Sequence, residues 1–110
     1  MTDKLTEFGH TFQVKSVACL MTNQTFLEQI HDILDEKNYD SDSLKWIIKE
    51  CKGYFDEYRK CITLDVFKVK TNEIENDILK VSVIENLKEI FRYMEATDLE
   101  FIQDKTLDFF

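Results

Sequence analysis

Apolar positions recur along this chain with a helical period, in blocks separated by short polar breaks. Val14, Val17, Ala18 and Met21 follow an i, i+3, i+4, i+7 pattern and predict a first helix over about residues 11–21. Asn23 to Thr25 punctuates. Thr25 and Glu28 then have the spacing of a capping box, and open a second helix expected to run to about residue 36. Its inward set is Phe26, Leu27, Ile30, Ile33 and Leu34, with His31 beside the stripe. A turn over residues 38–41, rich in N-cap residues, leads to a long third helix over about residues 43–60. Leu44, Ile47, Ile48, Cys51, Phe55 and Tyr58 form the face of that helix. Gly53 lies mid-helix on the polar side, where a close backbone approach would account for it.

Thr63 caps a fourth helix with Leu64, Phe67 and Ile74 inward. The fifth, over about residues 76–94, has the cleanest stripe: Val83, Ile84, Leu87, Ile90, Phe91 and Met94. Ile78, Leu79 and Val81 widen this stripe, which predicts that the fifth helix is central. The segment Thr97-Asp98-Leu99-Glu100 is a second capping-box match and starts a sixth helix. The last residues, Phe109-Phe110, carry no C-cap, which reads as a helix that continues in a longer parent. The pattern therefore predicts an all-α bundle of five to six helices over residues 11–110. Residues 1–10 form a loose lead-in, and the last helix is the truncated start of a helical hairpin.

Composition agrees with this class. In 110 residues there is no proline and there are only two glycines, too few turn formers for a sandwich or barrel. Apolar residues at 44% and nine phenylalanines supply a core. The net charge of −8 opposes binding to a phosphate backbone and favours a basic partner surface. Three cysteines, Cys19, Cys51 and Cys61, fit reduced thiols in a cytoplasm, with Cys19 and Cys51 as small core residues. No apolar run is long enough to span a membrane.

Candidate chemistry is sparse. Two widely separated glycines exclude a phosphate-binding glycine loop, and no CxxC or HExxH spacing occurs. Cys51 and Cys61 are not at a zinc spacing, and a pairing of His10 or His31 with a cysteine in space is open to many chains and singles out no metal site. The lysines Lys45, Lys49 and Lys52 are diluted by Glu50, Asp56 and Glu57, which disfavours a DNA-recognition helix. The acidic groups Asp32, Asp35, Glu36 and Glu73, Glu75, Asp77 read as solvated faces, or more sharply as docking surface for a basic partner. Apolar residues are in excess at the C-terminal end, where Leu99, Phe101, Ile102, Phe109 and Phe110 exceed the needs of one buried helix face.

The order of these elements resembles the N-terminal domain of DnaB-like replicative DNA helicases, most similar to the branch found in tailed phages of the T-even type. The resemblance runs from about residue 12 to 110. It rests on the short helix Val14 to Met21, the Asn23 to Leu27 segment, Gly53-Tyr54-Phe55 before a polar break, Ile62 to Phe67, and Leu99 to Phe110. The absence of proline departs from the bacterial branch, whose connections often carry it. The resemblance implies a hexameric, ATP-dependent parent whose ATP and magnesium site lies in a separate RecA-like domain, so no catalytic, cofactor or metal residue is carried onto this chain. It implies a collar domain that self-associates through a helical hairpin and docks primase or a helicase loader, with the exposed charges of the second and third helices as the expected docking surface. The interface residues implied for subunit contact are Leu99, Phe101, Ile102, Phe109 and Phe110. A free-standing helical adaptor or phage regulatory protein is the alternative.

Overall fold

In a computed structural model, residues 5–110 are described. Among them are six α-helices and no strand: α1 (His10–Thr22), α2 (Gln24–Ile30), α3 (Asp42–Tyr58), α4 (Leu64–Asn72), α5 (Asp77–Tyr93) and α6 (Leu99–Phe109). Two single 3-10 turns, Leu5–Phe8 and Glu36–Asn38, fill the joints. The all-α bundle predicted by the pattern is the fold. Its radius of gyration, 13.0 Å, is that of a tightly packed chain of this length.

The centre of the bundle is α1, not α5. Helix α1 packs against α2, α3, α5 and α6, and every residue from Val14 to Met21 except Lys15 is buried. A helix apolar only on one stripe could not occupy that position. α1 does so because its polar residues are small or satisfied within the protein. Ser16 donates to the Gln13 carbonyl at 2.7 Å and contacts the Tyr39 hydroxyl at 2.9 Å. The Gln13 side chain receives the Asp40 amide at 3.0 Å and donates to the Asp40 carboxylate at 3.2 Å. Lys15 lies along α1 and extends its amine outward to Asp98 at 2.7 Å, passing over the Tyr93 ring. Helix α5 covers only one side of α1, and its outer flank stays in solvent.

The helix ends differ from the expected ones for identifiable reasons. Asn23 joins α1 to α2 without a linker: its amide closes α1 onto Cys19, and its side chain caps α2 by accepting from the Phe26 amide at 3.0 Å. Asn is as strong an N-cap as Thr, and it comes first, so the Thr25 box does not form. Helix α2 stops at Ile30, short of residue 36. Asp35 draws the chain into the second 3-10 turn by accepting from the Lys37 amide, and Ile33, expected inward, is exposed. Lys52 of α3 takes up the freed Leu34 carbonyl at 2.5 Å.

Helix α3 opens on Ser41, whose hydroxyl accepts from the Leu44 amide, and buries Leu44, Ile47, Ile48, Cys51 and Phe55 as the stripe predicts; Tyr58 is exposed. It ends at Arg59, held in the left-handed region at φ 58°, where a residue with a Cβ costs about 1 kcal/mol. Thr63 caps α4 as read from the sequence, and Asn76, the expected start of the fifth helix, caps α5. Asp98 stands at the N-cap of α6 but makes no side-chain cap bond, because its carboxylate is held by Lys15. That contact keeps the Asp98 carboxyl below its usual pKa range.

Where a loose lead-in is expected over residues 1–10, the turn Leu5–Phe8 buries Leu5 in the core; residues 1–4 lie outside the described residues. Gly53 is exposed, and a Cβ built there meets nothing within 4 Å, so no close approach explains it.

Candidate functional site

Helices α4 and α5 pack together, with Phe67, Thr71, Val83 and Leu87 buried, but the seam between them is not closed on its outer side. It forms an open groove of about 600 Å³ whose apolar lining comes from Leu64 on α4 and Ile84, Leu87 and Phe91 on α5. Phe91 is 62% exposed, and no other ring stacks on it. Further toward the start of α5, Val81 and Ile78 stand in solvent, Ile78 at 82% exposure. Residues 78, 81, 84 and 91 belong to the apolar set that the sequence assigns to the protein interior. The structure instead leaves them as a surface band.

Two features make the groove more than uncovered hydrocarbon. Lys68 and Lys88 stand on its opposite walls, and among the described residues no carboxylate lines it. Thr71 lies in its lining at 3% exposure, and the Oγ1 atom has no hydrogen-bond partner. A buried hydroxyl left unpaired costs about 1–3 kcal/mol, so the free chain carries a polar atom that is not satisfied at this site.

The five residues singled out on and just after α6 divide into four groups. Ile102 is 5% exposed and belongs to the core, so it offers no free surface in this fold. Leu99 is half-buried against α1, with its carbonyl 3.6 Å from the Cys19 thiol. Phe109 and Phe110 contact each other edge to face at 5.0 Å, and Phe109 meets Phe8, which in turn lies 4.8 Å from Phe12. The aromatic ending is thus partly used within the chain, joining α6 to the start of α1. Phe101 alone projects freely, at 58% exposure, with only the Lys105 amine over its ring.

The titratable groups hold elements together. His31 stands between two carboxylates, Nδ1 at 3.1 Å from Asp32 and Nε2 at 2.7 Å from Asp56, with its ring against Phe55. The Nε2 contact is close but lacks hydrogen-bond alignment, and it ties the end of α2 to α3. His10 reaches Glu89 at 3.0 Å, Glu89 receives the Asn86 amide, and Asn86 receives the Ser43 hydroxyl, a chain linking α1, α5 and α3. Burial pushes the Cys19 thiol up to about 12, raises the Cys51 thiol further, and also raises Cys61, so none of the three is an activated nucleophile. Among the described residues no group of three or more His, Cys, Asp or Glu side chains could hold a metal, and no helix is long and apolar enough to cross a membrane.

The arrangement is suited to binding by apolar burial. The sequence placed that capacity on α6; the α4/α5 groove was missed because its apolar positions were assigned to the core. The signal was the width of the α5 stripe, which spans more of the helix than one packing face requires. Compared with protein-family models, curated proteins and solved structures, the chain finds no match.

Proposed function

We propose that this chain is an N-terminal assembly and partner-docking domain of a hexameric, ATP-dependent replicative DNA helicase of the DnaB-like class. The observation that carries the reading is uncovered apolar surface on two separate faces of an otherwise well-packed acidic bundle. One is the α4/α5 groove with the band toward Ile78, and the other is Phe101 on α6. Exposed aromatic anchors of this kind supply most of the energy of a protein interface. The order of helices and the segments described above support the same class.

In this reading Phe101, with the half-buried edges of Leu99, Phe109 and Phe110, contributes to contact between subunits. The α4/α5 face docks a second protein, a primase or a loader. ATP and magnesium chemistry belongs to another domain of the parent, and the net charge of −8 keeps this domain off the DNA backbone.

The test is the mass, by light scattering, of the full gene product that contains this chain, with ATP and magnesium present. Six-fold assembly weakened by Phe101→Ser supports the reading. A gene product that ends at Phe110 and stays monomeric overturns it in favour of a stand-alone adaptor.

A further inference from the structure

We propose that the α4/α5 groove receives an amphipathic α-helix of a protein partner, one that carries glutamate or aspartate beside its apolar stripe. The inference rests on the docking half of the proposed function and names the chemistry of the partner.

Three observations converge on this occupant. The first is length. Ile84 and Phe91 mark the apolar floor along α5, seven residues apart, or about 10.5 Å at the helical rise. An incoming helix places its i and i+7 anchors over the same distance, with i+3 or i+4 falling on Leu87 between them.

The second is charge. In a chain of net charge −8, the lining of this groove holds two amines and, among the described residues, no carboxylate. Lys88 makes no ion pair among the described residues, and Lys68 reaches only Asp65, at 4.0 Å, with both side chains in solvent. Amines on opposite walls select a ligand with carboxylates on both flanks of its apolar stripe. A second copy of this acidic bundle brings mixed charge on α5, Glu85 and Glu89 together with Lys88 and Arg92, and matches the two amines less well.

The third is the polar end of the lining, where exposed Asn72 stands beside buried Thr71. The Asn72 amide is a polar point that an occupant's side chain can meet, and it fixes the register of the incoming helix.

The test uses two synthetic helical peptides with leucines at i, i+4 and i+7, one flanked by glutamates and one by lysines, titrated into isotope-labelled chain and followed by amide shifts. The glutamate peptide is expected to shift residues of α4 and α5 around the groove, and to bind about tenfold or more tighter than the lysine peptide. Lys68→Glu with Lys88→Glu is expected to reverse that preference. Ile84→Ser with Phe91→Ser, both at exposed positions that leave the fold intact, is expected to abolish binding of either peptide. Four outcomes overturn the proposal: no shifts at millimolar glutamate peptide, shifts centred elsewhere, a preference that the lysine reversals do not invert, or a self-dimer that occupies the groove and is lost in Phe91→Ser. Failure here leaves assembly through Phe101 standing, and loss of assembly leaves this peptide result standing, so the two readings fail separately.

Discussion

The surroundings of α1 and the α4/α5 face invert each other's chemistry. Around α1, polar side chains are buried and satisfied: Gln13 and Ser16 are fully buried, yet each has partners from the segment around Tyr39 and Asp40. On the α4/α5 face, large apolar side chains are exposed, and the one buried hydroxyl, Thr71, is unpaired. The first region is finished as folded, with each polar group matched inside the chain. The second has the composition of a core but lacks its second half. Hydrophobicity alone does not separate the two; the state of the polar atoms does.

The sharpest way to break the comparison is to truncate one aromatic side chain in each region. Phe26→Ala removes a ring that α2 buries in the core and is expected to cost about 3–5 kcal/mol, whereas Phe91→Ala is expected to stay within about 0.5 kcal/mol. Denaturant unfolding of the two variants checks this, and a large loss in Phe91→Ala would mean that its ring is buried in solution. Next in size is Gln13→Leu, which keeps the volume but strands the Asp40 amide; a loss of about 1–3 kcal/mol is expected. The opposite sign is expected at the groove. Thr71→Val removes an unpaired buried hydroxyl and should stabilise the free chain by up to about 1 kcal/mol. A loss of stability there would show that the hydroxyl is bonded in solution. The smallest effect belongs to Gly53→Ala, a gain of up to about 1 kcal/mol from helix propensity, because a Cβ meets open space there. A thermal melt beside wild type reads it.

Much of this was legible in the sequence where the determinants are local. The caps Ser41 and Thr63 act on amides three residues away, and the α3 stripe is buried through Phe55 as its period requires. What was not legible depends on distant partners. Gln13 looks like a surface residue until Asp40, 27 positions away, is placed against it, and Ser16 pairs with Tyr39 across 23 positions. For this reason the sequence pointed to α5 as the centre and passed over α1. The same limit applies to the site. Periodicity marks Ile84 and Phe91 as one stripe with Val83, Leu87 and Ile90, but it does not say which flank another helix covers. At α6 it grouped five apolar residues that the fold separates into core, a half-buried Leu99, an aromatic cluster and a single free ring.

The most direct test of the central claim, that the open apolar faces exist to be covered by other protein, is the light-scattering mass of the full gene product with and without Phe101→Ser and Phe91→Ser. The account predicts a ring-sized assembly that Phe101→Ser weakens and Phe91→Ser leaves intact, since it assigns the α4/α5 groove to a different partner. A monomer at every concentration, or an assembly indifferent to Phe101, would contradict it.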